Sequence, residues 1–175
     1  IPATGARILF ALDVSGSMGG GQVAGMTGIT PRVGSAAMAM ATMRAEPNWM
    51  VMGFSHELVP LNLHPRMSLE QVIQTVAAVP MGATDCAQPM LWAARTRTKV
   101  DAFVVYTDNE TWFGKVHPHQ ALDQYRQQLG IAAKLIVVGM TATKFSIAAP
   151  DDPSMLDVVG FDTAAPRVMA DFITG

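Results

Sequence analysis

Apolar strands alternating with helices along the whole chain predict an α/β sandwich built on a mostly parallel sheet. Three observations carry that prediction. Short apolar runs recur at intervals that leave room for a crossover helix between them. The intervening stretches carry helix start and stop signals. The 175 residues, half of them hydrophobic and 15% charged, suffice for one well-filled core.

The elements follow in order. Arg7-Ile8-Leu9-Phe10-Ala11-Leu12, ending in Asp13, reads as a buried parallel strand. A Gly-rich stretch from Gly16 to Gly28 comes next. Residues 32–44, rich in Ala and Met, form a helix buried on most sides, and Thr30-Pro31 suits its start. Trp49-Met50-Val51-Met52-Gly53-Phe54 is the second strand, with residues 57–63 paired to it as an antiparallel edge hairpin. Ser68 and Gln71 make a capping box for a helix through Ala78. Residues 80–85 are a loop and 87–97 a helix. Ala102-Phe103-Val104-Val105-Tyr106-Thr107 is the cleanest strand in the chain. His117-Pro118 opens a helix that Gly130 stops after Leu129. Lys134-Leu135-Ile136-Val137-Val138 is the next strand, and residues 157–161 and 166–172 close the fold with a short strand and a helix. With no repeat, low-complexity tract or internal boundary, residues 1–175 form a single domain.

Composition narrows function. Twelve basic residues against fourteen acidic ones give a net charge of −2, which offers nucleic acid no overall attraction. Arg95, Arg97 and Lys99 are the only local basic cluster. No apolar run approaches the roughly 20 residues of a membrane helix, so no membrane partner is expected. The single cysteine, Cys86, excludes an internal disulfide and a cysteine zinc cage, and it favours a reducing, cytoplasmic setting. The start, Ile1-Pro2-Ala3-Thr4-Gly5, has neither an initiating Met nor a signal pattern, so the chain reads as an excised piece of a larger protein.

In a parallel sheet, ligands bind beyond the carboxyl ends of the strands. Those positions hold Asp13-Val14-Ser15-Gly16-Ser17 after the first run, Gly82-Ala83-Thr84-Asp85 in a loop, and Thr107-Asp108-Asn109-Glu110 after the fourth. Asp13, Ser15 and Ser17 follow D-x-S-x-S, so alternate side chains face one side and Gly16 relaxes the turn. Carboxylates and hydroxyls are hard oxygen donors. They suit Mg²⁺, which takes six oxygens at about 2.0–2.1 Å and keeps several waters. Asp13, Ser15, Ser17, Thr84 and Asp108 thus compose a divalent-metal site with an open position. Mn²⁺ and Ca²⁺ are the alternatives to Mg²⁺.

These five residues resemble, in order and spacing, the metal-ion-dependent adhesion site of von Willebrand factor A (vWA) domains. The likeness covers the whole chain and implies a three-layer Rossmann-like sandwich with helices on both faces. Longer segments narrow it to the vWA domain of the Ro (SS-A) autoantigen family and its bacterial TROVE-domain relatives. They are Pro80-Met81-Gly82-Ala83-Thr84-Asp85-Cys86 and Phe103-Val104-Val105-Tyr106-Thr107-Asp108-Asn109-Glu110-Thr111. Val116-His117-Pro118, Ala133-Lys134-Leu135-Ile136-Val137-Val138-Gly139-Met140-Thr141 and Asp157-Val158-Val159-Gly160-Phe161-Asp162-Thr163 add to it. The resemblance implies a ribonucleoprotein of RNA quality control, whose ring of helical repeats does most of the binding of noncoding Y RNA. No such repeats occur in this sequence, so RNA is expected through the parent protein rather than this domain. Asp13 and Asp108 balance one dication while the hydroxyls add no charge, so an acidic ligand, from an unknown protein or a small carboxylate, is expected at the open metal position.

Two other readings compete. A metal-dependent phosphotransferase or hydrolase would use Asp13 as nucleophile with Asp108 on the metal. Enzymes of the haloacid-dehalogenase type carry a second Asp two residues after the nucleophile, where this chain has Ser15, so no catalysis is expected. Direct RNA binding would show as RNA retention with steep salt dependence.

The remaining features have plainer readings. His117 and His119 are expected at the surface or as caps, and Cys86 as buried filler. Met38, Met40 and Met43 are core residues, while Met18 and Met26 are the methionines placed for exposure. Asp85 and Glu110 are either acceptors behind the metal ligands or solvated loop charges. Gly19-Gly20-Gly21 lacks a following Gly-Lys-Ser/Thr and is no P-loop.

Overall fold

The computed structural model of the chain describes residues 3–14, 18, 30–79, 84–108, 115–140, 152–159 and 165–175. Six strands form one sheet: β1 (Ile8–Asp13), β2 (Trp49–Phe54), β3 (Leu58–Pro60), β4 (Ala102–Thr107), β5 (Lys134–Gly139) and β6 (Met155–Val159). Their order is β3-β2-β1-β4-β5-β6, and every pairing is parallel except the edge pair of β2 with β3. The helices are α1 (Pro31–Ala45), α2 (Leu69–Ala77), α3 (Gln88–Thr96), α4 (Pro118–Leu129) and α5 (Ala165–Thr174). This is the mostly parallel three-layer vWA architecture that the sequence predicts, with one antiparallel edge strand.

Period-two alternation along the central strands sorts the core into two halves. Ile8, Phe10, Leu12, Val104 and Tyr106 face α1, α2 and α5, where Met38, Met40, Met43, Val72, Val76 and Met169 cover them. Leu9, Ala11, Phe103 and Val105 face α3 and α4, where Met90, Ala93, Leu122 and Tyr125 cover them. Both faces of β1 and β4 are buried along their whole length, which is why these strands read as unbroken apolar runs.

Three details differ from the sequence reading. The edge strand is shorter, because Pro60 has no N–H to extend the ladder beyond its pairing with Met52. The last strand starts at Met155, two residues early. Asp152 turns the chain there, accepting from the Ser154 amide at 2.8 Å, and Met155 pairs with Leu135. Met18 is fully buried in the half-core against α1 rather than exposed: the glycines around it suggest a solvated loop, but its thioether side chain joins the same core cluster as Val14. Met26 lies outside the described residues.

The edge of the sheet where the strands begin is tied to the chain ends. Thr4, just before β1, donates its amide to Glu46 Oε1 at 3.0 Å and its hydroxyl to Oε2 at 3.0 Å, just after α1. Lys134 Nζ, at the start of β5, donates to the carbonyls of Phe172 (2.6 Å) and Ile173 (3.2 Å) in α5. No described helix is long and apolar enough to cross a membrane.

Candidate metal centre

β1 and β4 are neighbours in the sheet, with Leu12 across from Tyr106. Asp13 therefore ends one strand beside Thr107, the last residue of the other, and Asp108 follows at once. Asp13 is fully buried, Asp108 is 2% exposed and Thr84 is 5% exposed. The backbone pins this rim. Val14 N–H donates to the Phe54 carbonyl at 2.9 Å and Met140 N–H to the Thr107 carbonyl at 2.7 Å, so β2, β1, β4 and β5 end in step.

The loop that carries Thr84 is fixed to the same rim. Asp85 N–H donates to the carbonyl of Ser55, a buried residue just after β2, at 2.8 Å. The Asp85 carboxylate turns toward the start of α3, accepting from the Ala87 amide at 3.1 Å and from Gln88 Nε2 at 2.8 Å. Of the two readings left open for Asp85, a solvated charge is excluded by its burial; it shapes the turn into α3. Glu110, Ser15 and Ser17 lie outside the described residues.

One residue in this neighbourhood escaped the sequence reading. Thr107 Oγ1 donates to Asp13 Oδ2 at 2.8 Å, both atoms buried. Asp13 continues the row of Leu9 and Ala11, and Thr107 the row of Phe103 and Val105, so both side chains face α3 and α4. Cys86 Sγ donates in turn to Thr107 Oγ1 at 4.0 Å. Burial pushes the Cys86 thiol well above its ordinary pKa, and the carboxylates of Asp13, Asp85 and Asp108 raise it further. The thiol itself stays protonated and is the buried filler expected.

The donors this rim offers are two carboxylates and a hydroxyl. Among the described residues no group of three or more His, Cys, Asp or Glu side chains is placed to hold a metal ion by itself. Carboxylates and hydroxyls are the oxygen donors that hard divalent cations take. His117 and His119 belong elsewhere, at the start of α4. His117 is its N-cap, accepting from the His119 amide at 3.3 Å while Gln120 Oε1 accepts from the His117 amide, which completes a capping box.

The model of the Ro60 vWA domain family matches residues 7–173. The chain belongs to the Ro60 vWA domain family. Within that family it is 58% identical to "RNA-binding protein RO60" of Deinococcus radiodurans over 169 residues, which is 97% of this chain and 32% of the relative. It is 39% identical to the protein of the same name from Caenorhabditis elegans, over 99% of this chain and 27% of the relative. The Ro60 vWA fold seen here superimposes on the crystal structure of the Deinococcus radiodurans RO (RSR) protein with a TM-score of 0.91 at 56% identity, covering 100% of this chain and 35% of that one. The chain thus spans about a third of the length of these relatives.

Proposed function

We propose that this vWA domain is the divalent-metal-binding interaction module of a Ro-type RNA-binding protein, with no catalytic role. Asp13, Ser15, Ser17, Thr84 and Asp108 would hold the ion, Mg²⁺ first and Mn²⁺ or Ca²⁺ as alternatives. The observation that carries the reading is the burial of Asp13 and Asp108 at the ends of two adjacent parallel strands. Two buried carboxylates at neighbouring strand ends are costly to keep charged without a counter-ion, and a dication between them would offset that cost. When bound, the ion supplies a Lewis-acidic position for an incoming anion. Thr107 holds the Asp13 carboxylate in place, and the Ser55–Asp85 bond holds the Thr84 loop.

Two carboxylates balance one dication and the three hydroxyls add no charge, so the occupied site stays attractive to an acidic group from a partner protein. The relatives' names state RNA binding, which supports RNA binding by the parent protein. On our reading that RNA is noncoding Y RNA, held by other parts of the parent in cytoplasmic RNA quality control. Calorimetric titration with Mg²⁺, followed by an acidic peptide, tests the proposal. Wild type is expected to bind the peptide only with metal present; Asp13→Ala should lose both events and Thr84→Ala should weaken them, both remaining folded. Equal responses in all three proteins would overturn it.

A further inference from the structure

Arg32 is the second residue of α1, where a cation meets the positive end of the helix dipole. It is nevertheless only 8% exposed. Its guanidinium Nε and Nη2 are both buried and meet no hydrogen-bond acceptor among the described residues. Buried donors without acceptors forfeit hydration and gain nothing in return, so neither helix propensity nor folding stability accounts for an arginine here.

Its place in the fold is informative. β1 runs up to Asp13, and α1 runs back down to Glu46, which is tied to Thr4 at the edge where the strands begin. The first turn of α1 therefore lies at the opposite edge, the one that carries Asp13, Thr84 and Asp108. A helix N-terminus favours anions there, and Arg32 adds a full positive charge to it.

The two unmatched atoms define the chemistry. Nε and Nη2 form one edge of the guanidinium, two parallel N–H groups spaced for the two oxygens of a carboxylate. Arg7 uses the same edge in this very fold: its Nε donates to Asp101 Oδ2 at 2.8 Å and its Nη2 to Oδ1 at 2.7 Å. We infer that Arg32 is a specificity-determining residue that grips the carboxylate of the acidic ligand from the rim end of α1. This rests on the reading of the rim as an anion-recruiting metal site. Both atoms are covered in this structure, so the carboxylate engages them only with a rearrangement of the Arg32 side chain itself.

The test compares the 175-residue chain with its Arg32→Met and Arg32→Lys variants. Each is titrated with Mg²⁺, then metal-loaded with acetate, using acetamide as the uncharged control, and melted without ligand. Mg²⁺ affinity is expected to be unchanged in both variants. Acetate affinity should fall roughly tenfold or more in Arg32→Met, and less in Arg32→Lys, which keeps the charge but not the fork. The melting temperature of ligand-free Arg32→Met should equal or exceed that of wild type, since an apolar chain replaces a buried charge without acceptors. Equal acetate affinity in Arg32→Met and wild type, or a lower melting temperature of that variant, overturns the role of Arg32 and leaves the metal site standing. Wild type that binds Mg²⁺ but shows no metal-dependent acetate binding overturns the anion-recruiting reading, and this inference with it.

Discussion

Thr107 illustrates what one hydroxyl does beside a buried carboxylate. It spans two strands to hold Asp13 and is itself contacted by the Cys86 thiol. Thr107→Val keeps the shape and removes the donor. The expected cost in urea-monitored stability of the metal-free domain is about 1–3 kcal/mol, the range for stripping a buried acceptor of its partner. Mg²⁺ affinity should fall as well, because the carboxylate is no longer held in place. A stability equal to wild type would show that Asp13 does not depend on this bond. Asp13 and Asp108 were legible in the sequence because each follows an apolar run, a local pattern. The part played by Thr107 was not, since it depends on which strand lies beside β1. Met18 misled for the opposite reason: its glycine neighbours describe the backbone around it, while its side chain answers to the core.

At the level of elements, capping residues set where several helices start. Thr30 Oγ1 accepts from the Val33 amide, and Ser68 and Gln71 satisfy each other's orphan amides at the start of α2. Such caps can be read from sequence because they span only three residues. His117 does the same for α4, but only as a neutral imidazole, since its Nδ1 must accept from the His119 amide. Burial, followed by the charge of His119, lowers the His117 pKa below its ordinary 6.5. A lowered pKa on a base means the unfolded chain takes up the proton first. The stabilisation is therefore fully present above pH 6.5 and is lost as pH falls through the lower folded value. His117→Asn, a good N-cap without a titration, should flatten that loss. Melting temperatures measured from pH 5 to pH 8 check this, and parallel profiles for the two proteins would show that the cap is not the titrating group. Strand ends were less legible than helix starts. β3 stops where Pro60 denies it a donor, and β6 starts where Asp152 turns the chain, both matters of pairing rather than of hydropathy.

For the whole molecule, the two half-cores fill both faces of the sheet, and Asp13, Thr84 and Asp108 sit at its rim. The domain is therefore expected to remain folded when stripped with EDTA. Mg²⁺ at a hundredfold excess over its dissociation constant should add about 2.7 kcal/mol by mass action, visible as a higher melting temperature. Unfolding by EDTA alone would make the ion structural and remove the case for an exchangeable, ligand-recruiting site. The alternation of strands and helices made this architecture readable from sequence, since each apolar run had a crossover of suitable length after it. The ties from Thr4 to Glu46 and from Lys134 to Phe172 and Ile173 have a mechanical consequence. Both fasten the first and last described segments to the edge far from Asp13, so the domain is moored like a buoy by two lines from one side. A pull on either of these segments would be felt first at that edge and not at the rim that carries Asp13.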